Sequence, residues 1–533
     1  MVSTADAVVV GGGTVGAWCA YFLRAAGLER VVVVEKDRLG QGASSRAAGV
    51  VRSQGGTVWA VKLGEWSRRF YLSQADLLGI DSGFTAQGYM LPCFAADDVT
   101  AARRRMAMQN SLGLDVRWLE PDDVERMNPC LAPGLTLGAT YCAQDGYLHP
   151  PRNVAAYAHA LAISGVTVLE HTSFTGLDTS AGAVSGLHTS AGPIATPVVV
   201  LTGGPELAAV GTLAGVRIPA WPVRHQVAVT EPHPDLAPDR LPMVFDLAFG
   251  LYWRPEDGGL LFGMSNPYEP PGEARSVDTG YLELVRRRLR ELVPVTARLG
   301  LRRTWAATIE YTPDHLPIIG PAITSGHLIN GAFVASAGGH GMMWGPAVAK
   351  AVADVALTGH SAVVETDDLG LDRFDDQGNS RLAADPIALP FPESKPQAFP
   401  EHAPSFTAKA GKGRPQMTDA NPATPYLAAA ATAELEDWGP LEEATGEEMT
   451  TSGLTLWKDG DQEVGVWECT PGPSYWTLQT HEFVQILAGR MTVTPDGGEP
   501  TEIAAGDVAV FPRGWAGTWQ IHETIRKVYV LFE

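Results

Sequence analysis

The sequence predicts a large α/β unit joined by a polar connector to a small all-β module. Three observations predict it. Residues 7–36 form a strand–glycine turn–helix–strand pattern, and short apolar strands alternate with helix-like segments from there to about residue 357. After about residue 425 the pattern changes to strand-like runs separated by turn residues, as in TVTPDGGEPTEIAAGDVAVFPRGW. Between the two, from about Asp376 to Pro425, the chain is rich in Pro, Ala, Ser, Lys and Gln without apolar periodicity, which predicts an extended linker.

The first element is the apolar run Ala7 to Val10, which enters a turn carrying Gly11, Gly13 and Gly16. A helix-like segment follows, then the apolar run Val31 to Val34, which ends on Glu35. Strand, G-x-G-x-x-G, helix, strand and acid together form a dinucleotide-binding fingerprint. Gly11 permits the tight turn, Gly13 lets the backbone approach a pyrophosphate, and Gly16 lets helix and strand pack closely. The helix N-terminus then holds the phosphate charge, and Glu35 accepts hydrogen bonds from an adenosine ribose. Thr14, Val15 and Lys36 adjoin these positions and are assigned to the same site. The chain is expected to bind a dinucleotide.

Further strands are predicted at Val166–Leu169, Pro197–Thr202, Leu260–Phe262 and His327–Ile329, and helices at Thr57–Leu77, Val154–Ile163, Thr279–Leu292 and Pro346–Leu357. The strand ending in Thr202-Gly203-Gly204 suits a second close approach of backbone to cofactor. The length of 533 residues accommodates two to four domains. A net charge of −21 argues against a nucleic-acid partner or an acidic membrane surface. The five cysteines are scattered, without disulfide-framework or metal-site spacing. No apolar run reaches transmembrane length, and neither a basic segment nor a cleavage site precedes the first strand, so a cytoplasmic, membrane-free protein is expected.

The glycines alone do not choose between NAD and FAD. Beyond Glu35, DRLGQGASSRAAGVVRSQ supplies small residues, hydroxyls and arginines where an NAD-binding domain proceeds to its next strand. Such a loop lies well along an extended cofactor.

Four segments now carry a family resemblance: VVVGGGTVG with Glu35, GASSRAAGVVR at Gly42–Arg52, DGYLHP at Asp145–Pro150, and YTPDHLPIIGP with ASAGGHGMMWGPAVAK at Tyr311–Lys350. In this order they resemble the FAD-dependent amine and amino-acid oxidoreductases of the D-amino-acid oxidase superfamily, over roughly residues 5–375. The closest branch is the one holding the sarcosine and glycine oxidases and related dehydrogenases. The resemblance implies a two-domain α/β (or α+β) flavoprotein, with a Rossmann-like FAD-binding domain and an interleaved mixed-sheet substrate domain. Its FAD-binding parts are expected at about 1–85, 145–215 and 300–376, its substrate parts at about 86–144 and 216–299, and the linker at 377–425.

Beyond the fingerprint, the resemblance assigns Ser44, Ser45, Arg46, Ala48, Gly49, Phe174, Thr202 and Gly203 to the cofactor. It also assigns Gly338, Gly339, His340, Gly341 and Met342, where backbone N–H groups and a helix N-terminus face an anionic flavin ring oxygen. Relatives that bind FAD covalently use a histidine within the segment matching Ser44–Arg46 or a cysteine at the position of Ala307. This chain has neither, so non-covalent FAD is expected. The oxygen-activating lysine of the oxidase branch corresponds to Leu261, and a substrate-binding lysine to Met343, which leaves O2 and another electron acceptor both open.

On the substrate side the resemblance makes Arg52 the carboxylate-binding group, since a guanidinium fork holds a carboxylate bidentately. A surface arginine or a cofactor contact is the alternative. His225, Tyr252 and His340 are the other catalytic candidates, with Glu310 and Tyr311 behind them. His225 and Tyr252 are equally readable as buried aromatics with one satisfied polar group. The implied reaction is hydride transfer from an amine α-carbon to the flavin, giving an imine that hydrolyses to a carbonyl compound and an amine. Glycine, sarcosine, D-amino acids and N-substituted glycines are the substrate types. A specialised metabolite, or a catalytically idle sensor, is the alternative.

Residues 426–533 resemble a cupin barrel by GVWECTPG, EFVQILAGRMTVTPDGG and AAGDVAVFPRGW. Of the four ligands of a metal-binding cupin only Glu482 is in register; His481 and His522 are not, so no metal is expected. Trp467, Tyr475, Trp476, Trp515 and Trp519 either border a small-molecule pocket or form the barrel core. Homodimer formation through the barrel strands is a further expected role.

Overall fold

The fingerprint region folds around three adjacent parallel strands in a computed structural model of the chain. This structure describes residues 2–236, 241–274, 276–324, 326–387, 430, 433–459 and 462–532. The fully buried strand Ala7–Val10 is flanked in parallel by Val31–Val34 and Val199–Leu201. Unbroken valine runs suit strands covered on both faces. Thr167–Leu169 and His327–Ser336 extend this parallel core on its two sides, within a nine-stranded sheet. The helices Thr14–Ala25 and Gly341–Thr358 pack around Trp18 and Trp344, both buried in one apolar core.

The chain twice leaves this sheet to build a second, eight-stranded one, in the order Leu301–Tyr311, Trp221–Thr230, Gly259–Met264, Leu251–Glu256, Met243–Asp246, Tyr89–Pro92, Ala139–Cys142 and Arg117–Leu119. All neighbours are antiparallel except Met243–Asp246 beside Tyr89–Pro92, which run parallel, so the sheet is mixed. Leu301–Tyr311, placed by sequence among the FAD-binding parts, pairs along its length with Trp221–Thr230 of this second sheet.

A three-stranded patch of Val50–Val51, Gly146–Tyr147 and Thr85–Ala86 ends the loop that follows Glu35 and ties it to the DGYLHP motif. A Cβ on Gly146 would stand 1.9 Å from the Thr85 carbonyl oxygen, so only glycine permits this approach.

The helix expected from Pro346 begins five residues earlier, at Gly341. Proline favours the first helical position, which is why the sequence suggests that start. Here Pro346 sits inside the helix without breaking it. The Met342 carbonyl, deprived of a backbone partner four residues on, accepts a hydrogen bond from the Tyr71 hydroxyl at 2.8 Å.

The expected linker lies outside the described residues from 388 onward. Its head, 377–387, is folded: Ser380 Oγ donates to Asp314 at 2.6 Å, and Asp385 and Ile387 are buried.

The chain divides into two compact units. The C-terminal one is an antiparallel sheet in the order Glu436–Pro440, Thr450–Asp459, Gln462–Cys469, Ala516–Phe532, His481–Pro495 and Thr501–Ala504. Gly472–Thr477 and Val508–Phe511 pair with its two longest strands. Its core centres on Trp467 and Trp519, with Trp476 and Trp515 packed against them.

Candidate active site

A cavity of about 470 Å³ runs from the glycine turn to the second sheet. At its nucleotide end Gly11 has φ +103°, a conformation that L side chains avoid. A Cβ on Gly16 would meet the Gly11 carbonyl oxygen at 2.0 Å and Thr202 Oγ1 at 2.4 Å. Glu35 is fixed by the Gly12 N–H on one carboxylate oxygen at 2.7 Å and the Asp37 N–H on the other at 2.8 Å. Lys36 forms an ion pair with Glu206. Ser44 Oγ accepts from both the backbone N–H and the hydroxyl of Thr14, each at 3.0 Å, joining the turn to the loop that follows Glu35. That loop is also held from the second sheet, by Arg254 Nε to the Ala48 carbonyl and Trp305 Nε1 to the Arg46 carbonyl.

Farther along, Gly338 and Gly339 both have positive φ, and a Cβ on Gly339 would stand 2.0 Å from the Tyr311 ring. The loop delivers His340 to the N-terminus of the helix Gly341–Thr358. His340 Nδ1 lies 3.1 Å from the Gly338 carbonyl oxygen, so Nδ1 carries the hydrogen. Nε2 is then a bare acceptor, buried and unpartnered among the described residues. Burial lowers the His340 pKa to about 3, which keeps the ring neutral.

At the far end Arg52 is 3% exposed. Asp145 of the DGYLHP motif accepts the N–H groups of Ser53 and Gln54 at 2.7 and 3.2 Å, fixing the turn just after it. The Arg52 guanidinium lies 5.9 Å from the Tyr89 ring and 5.5 Å from the Phe245 ring. Nη2 donates to the Ile387 carbonyl at 3.2 Å, while Nη1 is buried without a partner among the described residues.

His225 bridges Ser265 Oγ (Nδ1, 2.9 Å) and the Tyr252 hydroxyl (Nε2, 2.7 Å). Burial lowers its pKa to about 4 and raises that of Tyr252, so the pair is neutral at neutral pH. Glu310 accepts from Ser336 Oγ and the Ala337 N–H through Oε1; Oε2 is buried without a partner among the described residues. Burial pushes its pKa up to about 7.

The cavity therefore gathers Arg52, His225, Tyr252 and His340 with most of the cofactor positions expected from sequence. Gly16, Ser45 and Gly338 do not line it. Gly16 is consumed in helix–strand packing, Ser45 Oγ faces the Gln41 and Gly42 carbonyls, and Gly338 shapes the loop from behind. Met343 and Ala307 line it; Leu261 is instead buried in the apolar core of the second sheet. Tyr89 and Phe245 escaped the sequence reading, because nothing local marks one aromatic in a strand as facing a site.

Residues 6–355 match the family described as FAD dependent oxidoreductase. The chain belongs to this family. Residues 456–529 match the EutQ-like cupin domain, and the C-terminal unit is a cupin domain. Glycine oxidase of Geobacillus kaustophilus is 30% identical over 345 residues, covering 61% of this chain and 88% of that protein. The formaldehyde-forming 4-methylaminobutanoate oxidase of Paenarthrobacter nicotinovorans is 27% identical over 387 residues, covering 70% of this chain but only 46% of that protein. The chain thus spans less than half the length of that relative. Among solved structures, L-proline dehydrogenase from P. horikoshii aligns with a TM-score of 0.65 at 25% identity, over 72% of this chain and 100% of that one.

The cavity fits FAD. Glu35 is oriented by backbone amides at the ribose position; Gly11 leaves no room for a side chain beside the Thr202 carbonyl, nor Gly16 beside the Gly11 carbonyl and Thr202 Oγ1. Unpartnered His340 Nε2 and a helix N-terminus await polar groups at the ring end.

In the C-terminal unit Glu482 is already engaged: Lys527 Nζ lies 2.8 Å from its carboxylate and 4.6 and 4.3 Å from the Trp467 and Trp519 ring centres. The tryptophans are core, whereas Tyr475 is exposed and bonded to Asp496. His481 packs on Phe532 and His522 bonds Thr492.

Proposed function

We propose that this chain oxidises a C–N bond of an amino acid or secondary amine that carries a carboxylate. The observation that carries this reading is the buried, unpartnered Nη1 of Arg52 in the same cavity as the dinucleotide cradle. A buried guanidinium nitrogen without a partner is costly, and a carboxylate is its natural complement. Bound FAD supplies the two-electron acceptor for hydride leaving the amine α-carbon; the imine then hydrolyses to a carbonyl compound and an amine. Gly11, Gly13, Glu35, Ser44 and the 338–342 loop hold the cofactor. Arg52 fixes the carboxylate, and Tyr89 and Phe245 wall its guanidinium. His225 and Tyr252 stay neutral, and Arg52 supplies the positive charge that orients the substrate; His340 Nε2 accepts one hydrogen bond. The chain's contribution is alignment and electrostatics.

An anaerobic screen of glycine, sarcosine, D-amino acids and N-substituted glycines tests the reading by bleaching of the flavin; bleaching by none would end it. A peroxide assay on the hits decides between O2 and another acceptor. Arg52→Ala is expected to raise KM for carboxylate substrates by about a hundredfold, as for loss of a charged hydrogen bond, with the flavin still bound. Unchanged kinetics would remove Arg52 from the site.

FAD is held without a covalent bond in this proposal, since Ala307 and Ser44 offer no imidazole or thiol at the wall. Acid precipitation then leaves the yellow colour in the supernatant. Two chains pair through the cupin unit, where Val508, Val510 and Phe532 stand exposed. Light scattering that gives a monomer mass would refute this. Among the described residues no helix is long and apolar enough to cross a membrane, and a cytoplasmic location is part of the proposal.

A further inference from the structure

Residues 380–387 follow the last helix of the oxidoreductase unit and read in sequence as the head of a linker. They are built into the fold by a chain of buried and half-buried hydrogen bonds that starts at Asp314 in the Thr-Pro-Asp turn. Asp314 pairs with Arg373 through both carboxylate oxygens, at 2.7 and 3.0 Å. It also receives Ser380 Oγ at 2.6 Å, and its carbonyl accepts the Asp385 N–H at 3.2 Å. Asp385 Oδ1 in turn accepts the Ile387 N–H at 3.0 Å. The Gly56 backbone, four residues beyond Arg52, packs closely against Asp385 and Pro386. The chain ends on Arg52, whose Nη2 donates to the Ile387 carbonyl at 3.2 Å.

The series ends on the Arg52 guanidinium, which it reaches through the Ile387 carbonyl, and Gly56 is shaped to it. A Cβ there would meet Asp385 Oδ1 at 1.9 Å and the Pro386 ring at 2.8 Å, with no other atom nearer. Asp385 faces Arg52 and Arg105, and burial raises its pKa against their pull. Ile387 does not line the cavity, so it reaches a substrate through Arg52 and not directly.

We propose that Ser380–Ile387 is the positioning strap of Arg52: the Ile387 carbonyl takes Nη2 and thereby presents Nη1 to the carboxylate of the substrate. This rests on the reading of the cavity as an amino-acid site. A strap that only satisfies a buried arginine would leave carboxylate affinity unchanged when loosened. A strap that competes with the substrate would raise it. A positioning strap lowers it, because a guanidinium free to rotate must be ordered at each binding event.

The test titrates benzoate, with benzamide as the uncharged control, into the full-length FAD-loaded protein and follows flavin absorbance. Gly56→Ala and Asp385→Ala are expected to weaken benzoate about tenfold, the scale of a lost hydrogen bond to a charged group, with benzamide unmoved. Asp385→Asn keeps the Oδ1 acceptor and is expected to stay within about threefold of the parent, a difference under 1 kcal/mol. Unchanged or tighter benzoate binding in the two strap variants, alongside a large loss in Arg52→Met, overturns the strap and leaves the site intact. Unchanged binding in Arg52→Met overturns both. If either strap variant loses its flavin, Ser380→Ala loosens the outer end alone, and an unchanged benzoate affinity there counts against the proposal.

Discussion

Glu310 shows how far burial alone sets chemistry at the scale of one residue. Two hydrogen bonds to Oε1 favour its ionised form, yet desolvation outweighs them and raises the pKa from the ordinary 4.5 to about 7. A carboxyl with a raised folded pKa stabilises the fold while it is protonated in both states. That stability is lost as pH climbs from about 4.5 to 7, where the unfolded chain has already released the proton and the folded chain has not. By linkage, Glu310→Gln in the flavin-free protein should therefore match the parent below pH 4.5 and exceed it by up to about 3 kcal/mol above pH 7. Denaturant midpoints at pH 4.5 and 8 check this, and an equal effect at both pH values would contradict it. His225 and His340, lowered from 6.5 to about 4 and 3, cost stability as pH falls through the imidazole range, but equally in parent and variant, so they cancel in the comparison.

At the scale of elements, the parts visible in the sequence are those whose chemistry demands a residue type at fixed spacing. The turn between Ala7–Val10 and Thr14–Ala25 is legible because Gly11 needs a positive φ and Gly16 admits no side chain. Gly16→Ala forces its new Cβ against the Gly11 carbonyl, a backbone atom that cannot swing aside. Overpacking of this kind costs about 1–3 kcal/mol. The variant should be purified with a lower ratio of flavin to protein absorbance and a lower melting temperature; full flavin content would refute the packing role. Other elements are illegible because partners remote in sequence decide them. Pro346 resembles a helix start, and only the distant Tyr71 hydroxyl lets the helix run through it. The strap at 380–387 has a linker's composition, and its order comes from Asp314, Gly56 and Arg52, which are remote in sequence. Asp145 was visible as part of a motif, but its task of capping the turn after Arg52 appears only when the two segments pair.

At the scale of the whole molecule, the oxidoreductase fold was legible through motifs spread along the chain, and the cupin unit through its glycine and proline turns. What organises the cupin interior was not legible, because Lys527 lies forty-five residues from Glu482. The buried Glu482–Lys527 pair puts an ammonium beside the carboxylate that is the sole in-register cupin ligand, with two indole faces around it. Ion pairs of this kind add little net stability, but removing one partner strands the other charge at a cost of about 3–5 kcal/mol. Lys527→Met should thus strongly lower the denaturation midpoint reported by Trp467 and Trp519 fluorescence. Adding Glu482→Gln should restore most of the loss, since a neutral amide needs no counter-ion. If the single variant is as stable as the parent, Glu482 has another cation or proton to neutralise it, and the ammonium is not what fills the centre of the barrel.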